Sequence, residues 1–179
     1  MKLDSFAGIR LLEWFLAHPS RRIYFKELCR ETELGPVTVK GYCEDFIIRQ
    51  WLLDERVANA RFFFLNNANY VVKALKKAYI LEFLKKKGME SIADSTAISF
   101  ALYGSYTSGE YDERSDIDFL IIGRKESVDY KVVEKLRKDL EKEVQITIIP
   151  LEKWERNKKT DPFISSVLKN HVLIRGAPL

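Results

Sequence analysis

The sequence predicts an α+β protein in two parts, and three observations carry that prediction. Residues 1–68 hold three helix-length stretches with apolar residues at helical spacing, then two short apolar runs that read as a hairpin. Residues 69–89 carry a longer helical pattern that connects the parts. Residues 90–179 alternate strand-like apolar runs with helical stretches, as a small mixed sheet packed with helices requires.

In the first part, Asp4 is placed to cap a helix whose apolar positions Phe6, Ile9, Leu12, Phe15 and Leu16 recur until Pro19 stops it. A second helix covers residues 25–32, with Phe25, Leu28 and Cys29 inward. Gly35 at the cap and Pro36 at the first helical position open a third, whose inner stripe is Val39, Cys43, Phe46 and Ile47. The hairpin turns near Asn59. The connecting helix, residues 70–87, turns Val72, Leu75, Tyr79 and Phe83 to one side and Lys73, Lys76, Lys77 and Lys85 to another, and Gly88 ends it.

The stretch MESIADST has little pattern and marks the boundary between the parts. Beyond it come the strand ISFALYG, the strand DFLIIG, a helix over residues 127–142 and the strand VQITIIP. Two short helices follow, the second capped by Asp161 with Pro162 at its first position, and HVLIRG supplies an edge strand.

Composition narrows the classes of function. With 46% hydrophobic and 31% charged residues in 179, the chain is outside the regime of disordered sequences. No apolar run reaches the roughly 20 residues that span a bilayer, and MKLDSFAGIRLLEWF lacks a secretory cleavage pattern, so no membrane partner and a cytoplasmic location are expected. Cys29, Cys43, His18 and His171 are too scattered for a zinc site. The formal charge is +4, with the positive excess in residues 1–90, which permits nucleic-acid contact without demanding it.

The chemistry concentrates in GSYTSGEYDERSDIDFLII, residues 104–122. Successive strand side chains alternate between faces, so Asp116 and Asp118 project together while Ile117 and Phe119 turn into the core. Two adjacent carboxylates repel unless a cation lies between them. Mg²⁺ suits the pair, because it takes one or two protein carboxylates and completes its shell with water and phosphate oxygens. Gly104 and Ser105 leave the preceding strand where a residue without a side chain lets backbone approach phosphates.

This arrangement, a hydrophobic strand, Gly104-Ser105, and then Ser115, Asp116 and Asp118 entering a second strand, resembles the signature of the DNA polymerase beta-like nucleotidyltransferases, in particular the minimal nucleotidyltransferases. Several of these act as antitoxins beside a toxin protein. The resemblance implies transfer of a nucleoside monophosphate from ATP or another NTP to a protein or small-molecule hydroxyl, with Asp116 and Asp118 as metal ligands and catalytic residues. Gly104, Ser105 and Ser115 would bind the nucleotide. Where the family has a third carboxylate on the strand after the next helix, this chain has Gln145, a neutral amide. Glu143, two residues earlier, points to the same face if the strand begins there, and is the candidate substitute.

Three helices followed by a hairpin resemble a winged helix-turn-helix over residues 1–68. Thr38, Lys40 and Arg49 on the third helix and Arg56 and Arg61 on the hairpin are then the candidate contacts to duplex DNA, while Glu44 and Asp45 oppose phosphate. Ile48, which falls away from the inner stripe, is compatible with a homodimer contact. The alternative to a working enzyme is a DNA-binding regulator whose transferase domain binds nucleotide with little or no turnover.

Overall fold

The computed structural model describes residues 6–179 and divides into two compact units, Met1–Tyr79 and Ile80–Leu179. Asp4, the expected cap of the first helix, lies outside the described residues.

The amino-terminal unit runs α1 (Ala7–Ala17), β1 (Ile23–Tyr24), α2 (Phe25–Thr32), α3 (Pro36–Ile48), β2 (Leu52–Val57) and β3 (Ala60–Leu65), then enters α4 (Tyr70–Lys86). The expected order, three helices and a hairpin, is present, and β1 adds a third antiparallel strand in the order β1-β3-β2. Gly35 caps α3 with Pro36 behind it, and Val39, Cys43 and Phe46 bury one face at the i, i+4, i+7 spacing of a helix. In α1 the buried stripe is Leu11, Trp14, Phe15 and Leu16, whereas Phe6 is exposed and Leu12 only partly covered. The three-residue steps from Phe6 drift round the helix away from the face that Trp14 and Leu11 define.

Lys76 departs furthest from expectation. It is 1% exposed, and its Nζ donates to Asn67 Oδ1 at 2.9 Å. Four residues after buried Val72, it occupies the inward face by helical spacing, and the amide oxygen supplies a polar partner for the ammonium.

The carboxy-terminal unit is a four-stranded sheet, β4 (Ser99–Tyr103), β5 (Ile117–Ile122), β6 (Val144–Ile149) and β7 (His171–Gly176), in the order β6-β5-β4-β7. Only the β5–β6 pair is parallel, its crossover made by α6 (Tyr130–Leu140), which Asp129 caps. Strand alternation splits β5 between two layers. Phe119 and Ile121 pack toward Val133 and Leu136 of α6, while Leu120 and Ile122 pack under Trp154 of α7 (Leu151–Asn157) and Ile164 and Val167 of α8 (Pro162–Lys169). Asp161 caps α8, accepting from Phe163 N at 2.8 Å. The patternless stretch after Gly88 is not a bare linker: Met89, Ile92 and Ala93 are buried in this unit's core. A one-turn helix, α5 (Ser105–Ser108), follows β4 directly and was not expected. Among the described residues, no helix is long and apolar enough to cross a membrane.

Candidate active site

The site forms where β4 ends and β5 begins. Gly104 leaves β4 with φ 78° and ψ −157°, a conformation that favours glycine. A Cβ there would lie 2.5 Å from Asp118 Oδ2, so the missing side chain is what lets the turn approach the carboxylate. Thr107 Oγ1 donates to Gly104 O at 2.7 Å and Ser108 Oγ to Ser105 O at 3.1 Å, fixing α5 immediately after the turn. Gly109, at φ 72°, then sends the chain back.

The loop that delivers Asp116 is tied at several points. Asp112 Oδ1 accepts from Arg114 N at 2.9 Å and from Ser115 Oγ at 3.0 Å, while Ser115 Oγ accepts from Asp112 N at 2.9 Å. These bonds, that from Arg114 N foremost, hold the Asp112 carboxyl below its ordinary pKa. Tyr106 stacks on Tyr111 with ring centroids 4.5 Å apart and donates to Ser115 O at 3.2 Å. Lys142 Nζ donates to Glu113 O at 2.8 Å and lies over the Tyr106 ring. Burial lowers the Lys142 pKa, with the charges of Asp112, Glu113 and Asp116 opposing that shift.

Across the sheet, register makes a row. His171 of β7 pairs with Tyr103 of β4, Tyr103 with Asp118 of β5, and Asp118 with Gln145 of β6. Directly opposed residues share a face, so Asp118 lies between a phenol and an amide. Asp116 immediately precedes β5, and its Oδ2 accepts from Gln145 Nε2 at 2.8 Å. Tyr103 OH pairs with Thr147 Oγ1 at 3.0 Å, and Phe163 meets its ring edge-on at 5.5 Å, giving Asp118 an apolar flank. Burial, and then the charge of Asp116, raise the Asp118 carboxyl above its ordinary pKa. Among the described residues neither aspartate forms an ion pair.

The structure therefore brings together Gly104, Asp116, Asp118 and Gln145, with Ser105 on the adjoining turn. The Ser115 hydroxyl is engaged with Asp112 inside the loop. Glu143 stands apart: β6 begins one residue later at Val144, and the Glu143 side chain is 73% exposed, 3.9 Å from Arg137 Nε. No group of three or more His, Cys, Asp or Glu side chains among the described residues is arranged to hold a metal. The donor set at the aspartates is two carboxylates with a neutral amide beside them. All can offer oxygen, and two carboxylates side by side without an ion pair fit a hard divalent cation. Sequence reasoning missed Tyr103, Thr147 and Lys142, because their relation to the aspartates is set by strand register and loop path.

In the amino-terminal unit, Lys40 and Arg61 line one groove of about 660 Å³ with Tyr24, Phe25, Val57 and Phe63. Arg61 Nε is already paired with Asp54 Oδ2 at 2.7 Å, and Arg49 Nε with Asp45 Oδ2 at 2.8 Å. Arg56 is exposed on β2 opposite Arg61, and Thr38 is half-buried on α3.

Residues 73–174 match the family described as nucleotidyltransferase domain, more than half of the chain. This protein belongs to that family. Among curated proteins none matches. A solved structure described as "Crystal structure of the toxin-antitoxin with AMP-PNP" is similar at 16% identity with a TM-score of 0.34, over 56% of this chain and 73% of the other. At that score the likeness adds nothing to the family match. The match spans the Gly104 turn, both aspartates and Gln145, so the nucleotidyltransferase domain contains the whole candidate site.

Proposed function

We propose that the protein transfers a nucleoside monophosphate from an NTP, ATP first among them, to a hydroxyl on a protein or small molecule. In that reaction the acceptor oxygen bonds to the α-phosphorus, the bond from that phosphorus to the bridging oxygen breaks, pyrophosphate leaves, and the hydroxyl proton passes to water. Asp116 and Asp118 would hold Mg²⁺, which neutralises charge on the triphosphate when bound. The chain's own contribution is positioning: Gly104 admits the phosphates beside Asp118, Ser105 binds them from the turn, and the Asp112–Ser115 loop fixes Asp116. The observation that carries this reading is the Gly104 turn against Asp118 Oδ2, an approach that a Cβ would close. A toxin as protein acceptor rests on the resemblance in the sequence alone.

The test is label transfer from α-labelled ATP with Mg²⁺, to candidate acceptors and to the protein itself. The expected result is transfer by the parent and none by Asp116→Asn with Asp118→Asn. Equal labelling by both would remove the aspartates from the mechanism.

One observation favours a second reading, a nucleotide-binding regulator with weak turnover. Gln145 donates to Asp116 from the strand where an acid would complete the site, and an amide adds neither an anionic ligand nor a base. The order of helices and hairpin supports a winged helix-turn-helix in the amino-terminal unit, with Lys40, Thr38 and Arg56 as the contacts to duplex DNA that have charge or hydroxyl to offer. Arg49 and Arg61 would first have to leave Asp45 and Asp54. A mobility-shift titration of the full chain decides this: binding should weaken as salt rises, and absence of binding at low salt ends the DNA reading.

A further inference from the structure

The outward face of α3 is built for a protein partner, and we propose that the partner is a second copy of this chain, packed antiparallel on the same face. Val37, Gly41, Glu44 and Ile48 recur at steps of four, three and four, which places them in one line along the helix. Val37 is 87% exposed and Ile48 81%, near the two ends of α3. Large apolar side chains so exposed, on the helix that would otherwise meet a polyanion, favour an apolar partner over phosphate.

Gly41 adds an independent sign. A glycine in a helix interior costs roughly 0.5–1 kcal/mol relative to alanine. A Cβ at Gly41 would meet nothing within 4 Å, so a single chain gives no steric reason for the glycine. Close approach of another backbone does. A hollow there is lined by Val37, Thr38, Gly41, Tyr42 and Asp45 and is open to receive a side chain.

The pattern is also complementary to itself. In a two-fold, antiparallel pairing centred near Tyr42, Val37 of one copy meets Ile48 of the other near each end, and Lys40 of each faces Glu44 of its mate. That isologous match repeats twice by symmetry. Neither Lys40 nor Glu44 forms an ion pair among the described residues, so both are free for the partner. One helix face buries less than a standard interface, so the dimer is concentration-dependent.

Sedimentation equilibrium of the full chain over a wide concentration range tests this. The parent should dimerise reversibly. Ile48→Asp and Gly41→Leu should shift it to monomer, the latter without loss of melting temperature because leucine favours helix and the space outside one chain is open. Lys40→Glu alone and Glu44→Lys alone should each weaken dimerisation about tenfold, and the two together should restore it. A parent that stays monomeric, or a double variant as weak as the single ones, overturns the proposal. If the parent is monomeric and duplex DNA binding is lost with Lys40→Glu, the face belongs to DNA and the proposal is likewise overturned. None of these readouts depends on label transfer, so this proposal and the transferase reading fail separately.

Discussion

In the amino-terminal unit three arginines have anionic partners of their own: Arg49 with Asp45, Arg61 with Asp54, Arg22 with Glu55. In the carboxy-terminal unit two carboxylates lie together without an ion pair among the described residues, Asp116 accepting from Gln145 and Asp118 half-buried opposite Tyr103. The first arrangement is electrically satisfied without help, and exposed pairs of that kind contribute little stability. The second sets like charges side by side, a repulsion that a bound cation would relieve. Where a fold keeps charges unneutralised at its own expense, a binding site is the better physical account.

The sharpest way to break this comparison is at Gly104. Gly104→Ala sets a Cβ 2.5 Å from Asp118 Oδ2 and strains a backbone at φ 78°. Label transfer should fall by about a hundredfold, since a displacement near 1 Å is enough for that, and the rise in melting temperature on adding ATP with Mg²⁺ should disappear. An alanine variant that keeps both would mean that the close approach is incidental.

Gln145→Asp sharpens the comparison from the other side. It supplies the missing anionic ligand, and transfer should rise by about tenfold, the order expected for one charge interaction gained in the transition state. Glu143→Gln should leave the rate within about twofold, the scatter of a surface change, because that side chain faces Arg137 and solvent. If Glu143→Gln abolishes transfer, the loop before β6 must rearrange in the working state.

A smaller effect concerns pH. The Asp118 carboxyl is raised above its ordinary pKa, so its folded value exceeds its unfolded one. Such a group destabilises the fold when ionised, and the penalty is relieved as pH falls through the folded pKa. Without metal, Asp118→Asn should therefore raise the melting temperature at neutral pH. The gain should vanish in acid. A lower melting temperature at neutral pH would show that Asp118 has a favourable partner in the folded chain.

The smallest expected difference separates two arginines. If duplex DNA binds, Arg56→Ala should reduce the salt dependence by about one phosphate contact. Arg49→Ala should reduce it by less, because its guanidinium already answers Asp45. Equal losses would mean that the Asp45 pair opens on binding.

Much of the fold was legible because its signals are local. Gly35 with Pro36, and Asp161 with Pro162, mark helix starts through backbone groups within a turn of themselves. The strands at residues 99–103 and 117–122 declare themselves by apolar runs between turn residues, and the aspartates stand out as charges at the edge of one of them. The burial of Lys76 was legible in principle from its spacing to Val72, but its charge argued for solvent. Asn67 removes that objection only once the chain has folded.

By itself, then, the sequence determined most of the elements and the turn-and-aspartate motif, since each depends on residues close along the chain. Tertiary structure decided which distant groups meet. Gln145 reaches Asp116 because β5 and β6 run parallel in one register; a one-residue slip would send that amide to the other face. Tyr103 flanks Asp118 through the antiparallel register with β4. Glu143 turns to Arg137 because the β6 ladder starts at Val144. Register is a property of strand pairs and cannot be read from either strand alone.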